Sequence, residues 1–415
     1  MLPDGLTLRT TRPGDLEQVA ALLVDRGEEG DDVDHRLVVE DPAAGWGTSA
    51  VVVDGDRVVA TATLLDETVR VGDVVLPAGQ VELVATHEDH EGRGLMRALM
   101  EWAHELSATR GHLLQVMIGI PYVYRRFGYE YAIDMPPARE VVDLPEPLGP
   151  GEPGPYRLRP AEADDVDALA GLQDLAQQPY DVAVAHPRAR WDWLRGTPAS
   201  ALWVLVRRGA AEQDGEHEEV VASVRLRSDD GAVLLADPAA RDDDAADALL
   251  RAVVGLRPGE QLRVVHRELT VTGRRWAARL GPASEYPEQY YVRVPALGPV
   301  LDALRPVLTR RLSEAGLDRT GTEILVSTFA EHVRIPVADD GALGTPQVGG
   351  RLQWPASLGG AGVAPDQLGA LLLGCGMHAL ARRRPDVYPG PDPELYDTLF
   401  PPVRGDVLSF YLPWD

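Results

Sequence analysis

The chain has 415 residues, 45% hydrophobic and 25% charged, the make-up of a soluble globular protein too long for one ordinary core. Its formal net charge of -25 argues against a nucleic-acid partner and favours cations such as amines and polyamines. A single cysteine, Cys375, excludes an intramolecular disulfide and a Cys-rich metal site, and no apolar run reaches the roughly 18 residues of a membrane helix. Two or three domains in the cytoplasm are expected, since the opening MLPDGLTLRT has neither the basic nor the apolar part of a secretory signal.

In chain order, residues 8–22 (LRTTRPGDLEQVAAL) read as a short strand, a turn and a helix. Leu16, Val19 and Leu22 share one helix face, and Asp15 lies at the positive end of that helix. Residues 80–86 (QVELVAT) read as a strand, followed by a loop with Gly92, Arg93 and Gly94. Leu95, Leu99, Trp102, Ala103 and Leu106 then recur on one face of an amphipathic helix that closes near Arg110 and Gly111. HLLQVMI is the next strand, completing a βαβ unit.

The Pro/Gly-rich residues 144–155 (LPEPLGPGEPGP) read as a linker. After it the opening pattern returns: residues 158–172 (LRPAEADDVDALAGL) repeat residues 8–22. In the same register RALM at 97–100 falls on DALL at 247–250, and VELVA at 81–85 falls on GAVLL at 231–235. Gly92, Arg93 and Gly94 then fall on Asp242, Asp243 and Asp244, three carboxylates that would repel a pyrophosphate. Beyond YYVRVPALGPVLDAL (residues 290–304) neither copy is matched, so a third domain of different fold is expected. Trp191, Trp193, Trp203 and Trp276 read as core or interface anchors, and Cys375 as a buried, inert thiol.

The chemistry lies in the glycine loop. The first amides of a helix lack partners and carry the positive end of its dipole. Glycines let a phosphate approach them, and Arg93 or Arg97 can add a charged donor. A tight strand-to-helix turn would use the same glycines, and Glu91 at the mouth opposes an anion, so the loop alone leaves both readings open.

The surroundings add a resemblance. The segment resembles the acetyl-CoA-binding motif of the GNAT acetyltransferase superfamily, [RQ]-x-x-G-x-[GA] between a strand and a long helix. VATHEDHEGRGLMRAL and, at residues 122–132, YVYRRFGYEYA resemble more closely the Eis (enhanced intracellular survival) family, as does LGALLLGCGMHAL with PELYDTLFP near the end. Two residues depart from the pattern: Glu91 replaces a basic or amide residue, and Met96 a small one.

This resemblance implies a mixed α+β chain: a GNAT domain at residues 1–146, a degenerate second GNAT domain at 147–296, and a sterol-carrier-protein-like domain at 297–415 whose tail reaches the active site. It implies an N-acetyltransferase that moves an acetyl group from acetyl-CoA to a cationic amine (an aminoglycoside, a polyamine or a lysine-like acceptor), with no metal, no membrane and a hexameric assembly. Val84, Ala85 and Thr86 would hold the acetyl carbonyl and pantetheine arm. Gly92, Arg93, Gly94, Leu95, Met96 and Arg97 would bind pyrophosphate, with Gly119 and Ile120 on the cofactor's far side. Tyr124 would protonate the departing thiolate, and the terminal carboxylate of Asp415 would act as base. Glu82 or a water relay is an alternative base, since an attacking amine must lose a proton.

Bland readings stand beside these. Tyr124 and Tyr129 lie in an aromatic run of the kind that packs cores. His87 and His90 could shuttle protons but lack zinc-site spacing, and His104 reads as a solvated helix residue. Two other functions fit the same resemblance: a lipid- or acyl-CoA-binding protein acting through its last domain, or a GNAT scaffold without catalysis.

Overall fold

The computed structural model describes residues 2–3, 5–27, 30–120, 122–149, 154–208, 218–229, 231–283 and 288–410. It is a mixed α/β structure with three sheets. The first third holds β1 (Leu6–Thr10), α1 (Leu16–Arg26), α2 (Asp31–Glu40), β2 (Ser49–Asp54), β3 (Arg57–Val71), β4 (Val74–Thr86), α3 (Leu95–Thr109), β5 (Leu114–Met117), β6 (Glu130–Asp134) and β7 (Ala138–Glu140). Next come β8 (Tyr156–Pro160), α4 (Val166–Gln177), β9 (Val182–Val184), α5 (Arg188–Gly196), β10 (Ala201–Arg208), β11 (Glu218–Asp229), β12 (Ala232–Ala240), α6 (Asp243–Leu256), β13 (Gln261–Val265), α7 (Val271–Trp276) and β14 (Gln289–Arg293). The last region contains α8 (Leu297–Glu314), β15 (Glu323–Ser327), β16 (His332–Pro336), β17 (Gln347–Gly349), β18 (Ala361–Val363), α9 (Leu368–Leu373), α10 (Gly376–Arg383), β19 (Val387–Tyr388), α11 (Pro393–Leu399) and β20 (Gly405–Val407). Among the described residues no helix is long and apolar enough to cross a membrane.

The repeat has a shared physical basis at its start. Arg9 clasps Asp15 with two hydrogen bonds of 2.6 and 2.7 Å, and Arg159 clasps Asp165 with two of 2.6 and 2.8 Å. Each aspartate also accepts a backbone N–H, from Arg12 or from Glu162, so it ties the strand to the start of the helix in both copies. Burial of Leu16, Val19, Leu22 and Leu23 on α1 follows from their helical spacing. Trp191, Trp193 and Trp276 are buried in the second copy, Trp203 half-buried.

The sheets do not follow the chain segments. The first has the order β1-β2-β3-β4-β5-β14-β6, so the last strand of the second copy sits between two strands of the first. In return β7 pairs antiparallel with β13, and the second sheet runs β7-β13-β12-β11-β10-β8. The two copies thus exchange strands. The tail joins in: β20 pairs with β9, which pairs with the far end of β3.

The third sheet, β17-β16-β15-β18-β19, shares one continuous apolar cluster with the first through α8 and α9. Cys375 differs from its sequence reading: it is half-buried at the joint between α9 and α10, because the helix breaks there, and burial pushes its thiol up.

Candidate active site

Strand β4 sets up the site by leaving its neighbour. It pairs in parallel with β5 only as far as Gln80 and Val116, yet continues to Thr86. On its other side the ladder with β3 slips between Thr61 and Thr63, so Leu83 and Val84 together face Ala62. Leu83 has φ of 52°, a left-handed conformation that is costly for a leucine and typical of a bulge. Beyond Gln80, through the bulge to Thr86, β4 has no strand partner on its β5 side among the described residues, which leaves a wedge there. The His87 N–H bonds Val59 on β3, so strand alternation turns the N–H groups of Val84 and Thr86 into the wedge. Ala85 is buried, and Val84 and Thr86 are half-buried.

The glycine loop opens on the same end. Gly92 and Gly94 have φ of 71° and 82°, and Gly94 is the residue before α3. A Cβ at either would meet nothing within 4 Å, so backbone conformation rather than space calls for glycine. No side chain caps α3, which leaves its first amides free for an anion. Gly92, Arg93, Gly94 and Arg97 are exposed, Met96 half-buried and Leu95 buried; the Arg97 guanidinium lies 5.6 Å from the Phe127 ring centre. The carboxylate of Glu91 is engaged by Arg26 at the end of α1, so its charge at the mouth is paired.

Tyr124 sits across from the loop. It is buried in a short helical turn at Val123–Phe127. Gly119 lies under its ring: a Cβ there would come within 2.3 Å of Tyr124, so glycine makes room for the phenol. Ile120 is exposed. Tyr122, at the start of the turn, has φ of 72° and is held by an N–H bond of 2.8 Å to the Tyr291 hydroxyl. The Tyr291 ring is also 6.1 Å from that of Tyr124 and stacks at 4.2 Å on Tyr131. Burial, then the charge of Glu82, pushes the Tyr124 phenol up to about 12, so it holds its proton at neutral pH. Tyr129 is fully buried as packing, with its hydroxyl 3.1 Å from His104 Nε2. His104 is therefore half-buried rather than solvated, and burial holds it down at about 4.

Glu82 projects from β4 beside these groups. Burial pushes its carboxyl up to about 8, against the hydrogen bond donated by Gln80 Nε2. Glu67 and Asp31 act on it as further negative charges. Glu67 is buried against Arg190 at 2.6 Å, and its Oε2 has no hydrogen-bond partner among the described residues. Asp34 is also buried, pushed to about 7 by desolvation, and its Oδ1 has no hydrogen-bond partner among the described residues.

Several of these residues escape sequence reasoning. Tyr290 and Tyr291 come from the exchanged strand; Tyr290 donates its hydroxyl hydrogen to Gln80 Oε1. The tail reaches the same point, where Gln80 Nε2 lies 3.3 Å from Ser409 Oγ. The YY pair at residues 290–291 was visible, but nothing in it names the sheet it joins. Asp415, the expected base, lies outside the described residues.

Comparison with known proteins fits this geometry. Residues 7–132 match the family described as acetyltransferase (GNAT) domain. No curated protein matches the sequence. Among solved structures, the chain is similar to a GCN5-related N-acetyltransferase from Anabaena variabilis (13% identity, 98% of this chain and 100% of that one, TM-score 0.68). It is also similar to a GCN5-related N-acetyltransferase from Kribbella flavida (20% identity, 98% of each chain, TM-score 0.63) and to Eis1 from Mycobacterium abscessus (18% identity, 98% and 99%, TM-score 0.59). The first third is thus an acetyltransferase domain, and GNAT acetyltransferases use acetyl-CoA as cosubstrate.

Proposed function

We propose that the chain transfers an acetyl group from acetyl-CoA to the amine of a cationic acceptor: an aminoglycoside, a polyamine or a lysine-like amine. The observation that carries this is that Val84 on β4, Met96 at the start of α3 and Tyr124 share one apolar cluster, with the charge of Glu82 acting on Tyr124. In this reading the amides of Val84 and Thr86 take the thioester carbonyl and stabilise negative charge as it develops there. Gly92, Arg93 and Gly94 with the first turn of α3 cradle the pyrophosphate, and Gly119 and Ile120 flank the donor. Tyr124 gives its proton to the departing thiolate.

The acceptor side is acidic. Buried carboxylate oxygens without partners, on Glu67 and Asp34, suit an ammonium group that brings its own N–H donors. The amine must become neutral to attack. The terminal carboxylate of Asp415 is the proposed base, with Glu82 or a bound water as the alternative; docking of Ser409 against Gln80 supports a tail that ends nearby. Pairing of Glu91 with Arg26 weakens the case for an inactive scaffold. The sterol-carrier-like third domain serves here as structural support, since its apolar residues share a cluster with the first sheet. Domain limits at 146 and 296, a hexamer and a cytoplasmic site are part of the same proposal.

The test is acetyl-CoA with a panel of amines, following release of the CoA thiol. Turnover of a polyamine, aminoglycoside or lysine-like amine is expected. Absence of both turnover and acetyl-CoA binding would sink the reading.

A further inference from the structure

The second copy carries the same bulge as the first. Between Ser223 and Arg225 the β11–β12 ladder slips, so Asp237 and Pro238 together face Val224, and Asp237 has φ of 51°. In the first copy that feature borders a wedge lined with amides. In the second, arginines bond both bulge residues. Arg267 Nη1 lies 3.4 Å from the Pro238 carbonyl, which also accepts the Thr272 hydroxyl at 3.0 Å. Arg225 Nη1 donates to the Asp237 carboxylate at 3.0 Å.

Arg225 also donates from Nε and Nη2 to Ser200 Oγ at 3.3 Å, and both arginines bond the same segment, residues 406–410. Arg225 Nη1 reaches the Ser409 carbonyl at 2.9 Å, and its Nη2 reaches the Phe410 carbonyl at 2.8 Å. Arg267 makes a two-pronged pair with Asp406 at 2.9 and 2.6 Å, and Gln177 adds a bond to Asp406 at 2.9 Å. Arg225, Arg267 and Asp406 are almost wholly buried. The segment held in this way touches the first copy through Ser409 at Gln80, and the Phe410 ring lies 5.7 Å from the Arg190 guanidinium.

We propose that the second copy has converted its own donor cleft into a holder for the C-terminal segment, and that Arg225 is the positioning residue that sets Ser409 and Phe410 against the acetyl-transfer site. The fork geometry explains why arginine is needed: one planar group must satisfy Asp237 and two carbonyls at once, which an ammonium cannot. Asp237 serves Arg225 rather than a ligand. Burial alone would raise its carboxyl, but Arg225 and His186 outweigh this and hold it below the usual carboxylate range. Arg225 touches no reacting atom in this account. It acts by fixing where Ser409 and Phe410 lie, and the consequence for turnover rests on the acetyltransferase reading.

Two full-length variants test it. Arg225→Lys keeps a cation beside Asp237 but cannot span both carbonyls. Arg225→Met combined with Asp237→Asn removes both charges together, so no lone buried charge is left. Each is checked for melting temperature and acetyl-CoA affinity, then for kcat and for the rate at which carboxypeptidase trims the folded protein. Expected are acetyl-CoA affinity within about twofold, kcat lower by about 10- to 100-fold, and trimming faster by about tenfold. A folded variant with unaltered kcat and unaltered trimming overturns the proposal. Hydrogen exchange on the unaltered protein needs no variant: amides of residues 405–410 should be protected like those of β12, and rapid exchange there overturns the proposal too. If the unaltered protein acetylates no amine, the activity reading fails, and trimming and exchange alone decide the clamp.

Discussion

The two copies share a strand, a bulge and a helix, and differ in what lies between the bulge and the helix. In the first, the chain runs from Leu83 through two left-handed glycines to Leu95, and α3 begins without a side-chain cap. In the second, the path from Asp237 to Asp243 is much shorter, and Asp242 closes the helix end by accepting the Ala245 N–H at 2.8 Å. One helix start has no side-chain cap on its amides; the other has one of them met by its own chain. The bulges differ likewise, since Arg225 and Arg267 bond Asp237 and Pro238 in the second copy. Ligand capacity in this fold therefore depends less on the scaffold than on which backbone groups are left unpaired.

Tyr124→Phe gives the largest expected effect, because it removes the proposed proton donor and little else. A fall in kcat of about 100-fold is expected, with acetyl-CoA affinity nearly unchanged, measured by steady-state turnover and calorimetry. Glu82→Gln sharpens the choice of base. If Glu82 takes the amine proton, kcat/KM rises with pH through about 8 in the unaltered enzyme and loses that rise in the variant. A profile unchanged by the substitution would leave the tail carboxylate or a water relay as base. Stability follows with a definite sign. A carboxyl raised from 4.5 to about 8 holds its proton more tightly in the folded state, so its contribution is full below pH 4.5 and is lost as pH rises toward 8. Chemical denaturation across that range should show Glu82→Gln relieving the decline.

A pair of helix-start variants breaks the comparison directly. Gly94→Ala should weaken acetyl-CoA binding by about tenfold, since an alanine is strained at positive φ. Asp242→Ala should leave that affinity alone and cost about 1 kcal/mol of stability through loss of the cap. Glu91→Arg is the smallest change expected. It exchanges an exposed paired carboxylate for a cation and should tighten acetyl-CoA by about twofold at low salt, with the gain fading at high salt.

How much was legible follows from range. The strand, glycine loop and amphipathic α3 are local patterns, and Leu95, Leu99 and Ala103 are buried as their spacing requires. The Arg9–Asp15 and Arg159–Asp165 motifs lie within a few residues, so the repeat could be read from them. The exchange of β7 and β14 could not, because a strand's partner depends on the whole sheet, and Tyr290 and Tyr291 reached the site only through it. Register failed where loop length changed. The repeat placed Asp242, Asp243 and Asp244 on the three loop residues, whereas Asp242 caps α6 and the other two lie inside it. The bulge at Leu83 was invisible because a leucine gives no sign of positive φ.

In the proposed function the first copy alone retains a donor site. Calorimetric titration of acetyl-CoA into the unaltered chain and into the Gly92→Asp, Gly94→Asp double variant, which gives the first loop the acidic character of the second, tests it most directly. A single site per chain is expected, abolished by the two aspartates; two sites per chain would mean the second copy also binds the donor, and binding undiminished in the variant would mean the glycine loop does not hold it.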